Sequence, residues 1–119
     1  MDQPFSIGAE PYPWPLEPLA PEHCALVVID MQRDFCSEEG YFARVGEDVR
    51  PLAACIPPIA RCLAAARRAG LSVVHTRQGY RPDLAEMPAW RRIRAERYGS
   101  PVGEPGPLGR VLVRGEPGF

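Results

Sequence analysis

Two short apolar runs flank an amphipathic segment in the middle of the chain. Residues 25–29 show no alternation of polar and apolar side chains, which is typical of a strand buried on both faces of a parallel sheet. Residues 57–69 repeat apolar side chains at helical spacing, with two prolines in the first turn and Gly70 just past the end. Residues 71–76 predict a second strand. The pattern therefore predicts a βαβ unit with a right-handed crossover. The predicted buried stripe of the helix consists of Ile59, Cys62, Leu63 and Ala66.

The flanking segments carry much weaker patterns. Residues 1–22 hold six prolines and predict an extended N-terminal arm, with residues 23–119 forming the domain itself. Residues 37–50 read as a loop, and residues 88–98 predict a short arginine-rich helix whose charges form a solvated face.

The closing part of the chain is rich in glycine and proline. Residues 99–119 therefore offer few donors and little apolar area, and we expect them to pack poorly. Within them, residues 111–113 predict a short strand.

Composition narrows the class of protein. The 119 residues are 45% hydrophobic, with 14 basic and 15 acidic side chains and a net charge of −1. This balance predicts a folded protein that binds neither nucleic acid nor a membrane. The opening residues lack the pattern of a secretory signal, and the four cysteines form no CxxC pair. We therefore expect a cytoplasmic protein with reduced thiols, no zinc site and no cofactor.

The sharpest candidate for chemistry is Asp30, which ends the first apolar run. Ligands of open parallel sheets bind beyond the carboxyl ends of the strands, and a partly desolvated carboxylate there is suited to act as a general base. The alternative is that Asp30 caps the following turn, a common use of this residue type. His75 and Arg77 fall on the same predicted edge, where we interpret both as structural.

The run ALVVIDMQRDFC at 25–36 resembles the isochorismatase-like cysteine hydrolases. Three further segments support the resemblance: residues 11–15, 75–85 and 103–118. Within that superfamily the chain is more similar to the biuret hydrolases, with the ureidoacrylate amidohydrolases near them.

The resemblance implies an α/β fold, a doubly wound parallel sheet in three αβα layers, of which this chain supplies a truncated half with few strands. It also implies an Asp–Lys–Cys triad in which cysteine attacks an amide-type carbonyl and the aspartate takes up the thiol proton. Asp30 matches that aspartate, and Phe35 matches an aromatic residue that borders the substrate pocket. Residues 77–81 lack the Asp-x-His that binds metal in the nicotinamidase branch, so no metal is expected.

The other two triad members have no counterpart in the chain. All 14 basic residues are arginine, so no lysine is available. Cys36 lies near Asp30 but does not match the position of the family nucleophile, and we interpret it as an inert thiol.

The sequence thus predicts the N-terminal part of a hydrolase acting on C–N bonds of a small amide or urea-like substrate, inactive by itself. The alternative is a non-catalytic remnant or interaction protein of the same fold. With a single covering helix, we expect Val27, Ile29, Val73 and Val74 to form an exposed apolar patch, and homo-oligomer formation is left open.

Overall fold

A computed structural model describes residues 20–119 of the chain, so that nearly all of the predicted arm at 1–22 lies outside the described residues. A 3₁₀ turn, Pro21–His23, leads into the first strand. The strands are β1 (Ala25–Val28), β2 (Ser72–His75), β3 (Pro105–Gly106) and β4 (Gly109–Arg110). The helices are α1 (Arg33–Cys36), α2 (Tyr41–Arg44), α3 (Arg50–Ala53), α4 (Ile56–Arg68) and α5 (Ala89–Tyr98).

The predicted βαβ unit is confirmed. Strands β1 and β2 pair in parallel, with Val27 opposite Val74 in the register. Helix α4 connects them and begins one residue before the predicted start, with its two prolines in the first turn, where their missing N–H groups cost no helical bond. The two strands and the helix form an α/β unit, which is the fold class that the sequence predicts.

Helix α4 covers only one face of this two-stranded sheet. Val28 is buried on that side, whereas Val27 and Val74 are 48% and 47% exposed and Ile29 is 67% exposed. Three members of the expected apolar patch are therefore exposed. Val73 is half-buried because alternate residues of a strand point to opposite faces.

The predicted apolar stripe of α4 is less buried than its spacing suggests. Ala66 is buried, Ile59 and Leu63 are half-buried, and Cys62 is exposed. The small side chains of the alanine-rich helix bury little area, so α4 contributes only modestly to a core.

The main hydrophobic cluster lies away from the sheet. Its buried members are Phe35, Met87, Val102, Val111 and Leu112. Three of these five belong to residues 99–119, so the expectation that this segment packs poorly is wrong for the folded chain. Its backbone is hydrogen-bonded instead of being left free: the Leu112 carbonyl accepts the Tyr80 N–H at 2.8 Å, and the Tyr80 carbonyl accepts the Arg114 N–H at 2.9 Å.

Two local predictions also fail. Residues 111–113 form no strand, because Leu112 adopts a left-handed conformation with φ of 52° and only one parallel bridge, between Tyr80 and Val113, remains. Residues 37–50 are not wholly a loop, since they contain α2, whose Tyr41 and Phe42 pack on the hydrophobic cluster.

Candidate functional site

Asp30 lies two residues beyond the carboxyl end of β1, in a left-handed conformation with φ of 51°. Its backbone N–H donates to the Thr76 carbonyl at 3.2 Å, and the Thr76 hydroxyl donates to Asp30 Oδ1 at 2.7 Å. The carboxylate is therefore held by the residue that follows β2, and it accepts no N–H from the following turn. The second oxygen, Oδ2, has no hydrogen-bond partner within residues 20–119.

A glutamine two residues further on fixes the loop to the end of β2. The side chain of Gln32 is almost fully buried; its Nε2 donates to the Gln78 carbonyl at 2.9 Å, and its Oε1 accepts the Gln78 N–H at 2.6 Å. This pair of bonds extends the β1–β2 ladder through a side chain. Sequence reasoning did not identify Gln32, because nothing in its local pattern separates a buried amide from an exposed one.

The second aspartate of the motif, Asp34, has a structural role. It is 1% exposed, its Oδ2 accepts the Leu112 N–H at 2.8 Å, and its own N–H donates to the Gly118 carbonyl at 2.9 Å. A side chain at position 118 would collide with this carboxylate, since an added Cβ would lie 2.7 Å from Oδ1. Asp34 thus ties α1 to the end of the chain, a role that the sequence alone did not reveal.

Phe35 is buried within the hydrophobic cluster. Its ring centre lies 4.8 Å from that of Phe42 and 6.2 Å, edge-on, from that of Tyr41. Its place at the border of a substrate pocket stays a prediction. In the described residues its contacts are those of a core side chain.

An apolar cavity of about 330 Å³ opens between the motif and α4. Met31, Gln32 and Cys36 line one wall, and Ile59 and other α4 residues line the opposite wall. Neither Asp30 nor Phe35 lines this cavity.

Burial raises the pKa of the Cys36 thiol, and the nearby Cys55 raises it further. The reactive thiolate is therefore disfavoured at neutral pH, in keeping with an inert role for Cys36. All four cysteines are free thiols.

Arg77 and His75, the other candidate residues at the carboxyl end of β2, have different surroundings. The Arg77 guanidinium lies 4.7 Å from the centre of the Phe119 ring, a cation–π contact that ties the end of β2 to the end of the chain. His75 is exposed and lines the apolar cavity. Within residues 20–119, no three His, Cys, Asp or Glu side chains cluster closely enough to hold a metal ion, and the helices described there are too short or too polar to cross a membrane.

The sequence of the chain is similar to those of known proteins. The family model described as "Isochorismatase domain" matches residues 24–116. Ureidoacrylate amidohydrolase RutB of Yersinia enterocolitica is 34% identical over 97 residues, covering 77% of this chain and 41% of the relative. The enzyme of the same name from Serratia proteamaculans is 32% identical over 102 residues, covering 82% and 40%. That from Methylorubrum extorquens is 37% identical over 95 residues, covering 74% and 38%.

The chain therefore spans about two fifths of the length of these relatives. The family match takes in the whole segment from β1 through Asp30, Gln32 and Asp34 to the buried C-terminal residues. A parallel βαβ unit, an aspartate at its carboxyl edge and a family match over most of the sequence lead to one assignment: this chain belongs to the isochorismatase family.

Proposed function

We propose that the chain supplies the aspartate-bearing part of a hydrolase that cleaves a C–N bond in a small amide or urea-like substrate. The observation that carries the proposal is the geometry of Asp30. One carboxylate oxygen is held by Thr76, and the other is free among the described residues to take up a proton. A base fixed in this way at the edge of a parallel sheet fits acid–base assistance to a nucleophile.

The proposed substrate is a terminal ureido group. The relatives are named for ureidoacrylate, and the motif resemblance adds biuret; both molecules end in –NH–CO–NH₂. In the reaction that the resemblance implies, a thiol attacks this carbonyl while Asp30 accepts the thiol proton. The proton then leaves with the departing amine, and water hydrolyses the S-carbamoyl (thiocarbamate) intermediate, which frees the thiol.

We propose further that the lysine and the nucleophilic cysteine come from polypeptide beyond these 119 residues. The absence of lysine from the sequence and the partial coverage of the relatives support this. A cytoplasmic location is part of the same proposal, supported by four cysteines that all carry free thiols.

The first test uses the 119-residue chain as it stands. Ammonia release is measured with ureidoacrylate, biuret and nicotinamide, and no turnover above background is expected. Turnover that disappears in Asp30→Ala would contradict the need for residues from outside the chain.

The second test reads the coding DNA past the codon for Phe119. A continuing frame that encodes a lysine and a cysteine on later strands should yield an active ureido hydrolase. In that protein Asp30→Asn should lower kcat by a factor on the order of 10² to 10⁴, the usual contribution of a positioned base. The matched control is Asp83→Asn, an exposed carboxylate of a surface turn that should retain activity. A stop codon at this point would favour the non-catalytic remnant.

A further inference from the structure

We propose that α2 and α5 enclose a binding site for a small oxyanion, either a phosphate or a carboxylate group. The site is a cavity of about 210 Å³, and neither Asp30 nor any other residue of the β1 edge lines it. Most of its lining residues have side chains that can donate hydrogen bonds: Arg91, Arg94, Tyr41, Tyr98 and Ser100.

The two guanidinium groups are available to a ligand. The neighbouring Arg92 guanidinium is already hydrogen-bonded within the protein, since it donates to the Met87 carbonyl at 3.3 Å and to the Leu84 carbonyl at 2.7 Å. The guanidinium groups of Arg91 and Arg94, by contrast, form no ion pair or hydrogen bond within residues 20–119, and that of Arg91 has only a contact with the Trp90 ring. Planar guanidinium groups match the geometry of carboxylate and phosphate oxygens, so two that face one cavity favour an anion there.

The hydroxyl groups add a further donor. The Tyr41 and Ser100 hydroxyl oxygens lie 3.1 Å apart and share one hydrogen bond. Whichever hydroxyl accepts in this pair keeps its own proton for a third group. An oxyanion in the cavity would accept a hydrogen bond from that hydroxyl, and the hydrogen bond between Tyr41 and Ser100 would be retained.

Charge and size restrict the ligand. Among residues 20–119, Glu47 is the only acidic residue of the cavity lining, so the two arginines leave an excess of one positive charge. The volume is below the roughly 300 Å³ at which pockets for drug-sized molecules begin, and it suits a single phosphate or carboxylate group. Glu47 should compete with that group for the arginines.

Tryptophan fluorescence offers a direct measurement, because Arg91 lies 5.8 Å from the Trp90 ring centre. The chain has two tryptophans, so Trp14→Phe leaves Trp90 as the sole reporter. In this background, inorganic phosphate and malonate are titrated separately at constant ionic strength, against sodium chloride. A saturable change with either anion is expected, and the tighter of the two identifies the class of ligand.

Three variants test the residues. The double substitution Arg91→Gln and Arg94→Gln should raise Kd at least about tenfold, the equivalent of 1.4 kcal/mol. Glu47→Gln should lower Kd, because it removes the competing carboxylate. The control, Arg61→Gln with Arg68→Gln, removes the same charge from exposed positions of α4 and should leave Kd unchanged.

The proposal fails if neither anion gives a saturable change beyond that of chloride. It also fails if the α4 control weakens binding as much as the α5 pair, since non-specific attraction to exposed arginines would then explain the signal. Should the double variant lose its circular dichroism spectrum, Arg94→Gln alone and Glu47→Gln carry the test. A Kd that moves in neither of them would overturn the site.

Discussion

Two regions of the chain are packed contrary to what their sequences suggest. One is the sheet unit, made of β1, α4 and β2. The other is the motif core, made of Phe35 with residues 101–119. The sheet unit has the regular periodicity, yet Ile29 is 67% exposed and α4 buries only Ala66. The motif core is rich in glycine and proline, yet Leu112 and Val113 are 0% and 1% exposed. Regular secondary structure therefore does not locate the best-packed part of this chain.

The physical reason lies in the partners that each region finds. The outer face of β1 and β2 has no covering layer among the described residues, so its apolar side chains stay in water. In the motif core the polar groups of the irregular backbone are paired: the Leu112 N–H donates to the Asp34 carboxylate, and the Gly118 carbonyl accepts the Asp34 N–H. Burial of an irregular segment is stable once its polar groups are paired.

The largest expected effect is the loss of the Phe35 ring. Phe35→Ala should lower the free energy of unfolding by about 3–5 kcal/mol, because it empties a buried aromatic site. Ile29→Ala, the matched change on the open sheet face, should stay within about 0.5 kcal/mol. Urea denaturation followed by circular dichroism measures both. Equal losses would show that the two regions are packed alike.

Removal of the Asp34 carboxylate should have the next largest effect. Asp34→Ala leaves the buried Leu112 N–H without an acceptor and should cost about 1.5–3 kcal/mol. Asp83→Ala serves as the control, because that carboxylate is exposed and its hydrogen bonds, from the Ala85 N–H and the Arg81 guanidinium, stay within a surface turn. Hydrogen exchange of the Leu112 amide gives a local readout. A protected amide in Asp34→Ala would refute the anchoring role.

The open sheet face should determine whether the chain self-associates in solution. We expect the wild-type chain to self-associate through Val27, Ile29 and Val74, since exposed apolar patches drive association. Val27→Thr with Val74→Thr keeps the β-branched shape and should shift the protein towards monomer in sedimentation velocity, with a small change in stability. A wild-type chain that is monomeric with a sharp two-state transition would mean that 119 residues suffice as a domain.

The smallest effect concerns the Cys36 thiol. Its pKa is raised in the folded chain, first by burial and then by the nearby Cys55, so folding favours the protonated form. Its contribution to stability is complete below the pKa of the unfolded thiol and is lost as the pH rises through the folded value. At pH 8, iodoacetamide should label Cys36 more slowly than the exposed Cys62, as read by peptide mass spectrometry. Faster labelling of Cys36 would identify an activated thiol.

Local sequence determined the parts of the fold that depend on short-range periodicity. The apolar run at 25–29 and the stripe beginning at Ile59 predicted β1, α4 and their order, because the side-chain spacing of strands and helices is set by backbone geometry alone. The position of Asp30 at the end of the first strand followed from the same pattern. Its use as a base in catalysis remains a prediction.

Tertiary structure decided what each side chain does. Asp30 and Asp34 lie four residues apart in one motif, yet one carboxylate is held by Thr76 with an oxygen free, and the other is buried against Leu112. Residues 99–119 were expected to pack poorly for want of apolar area, but they bury Val102, Val111 and Leu112 in one cluster with Phe35. These outcomes depend on contacts between residues far apart in the chain, and no local pattern encodes which distant backbone group a given side chain will meet.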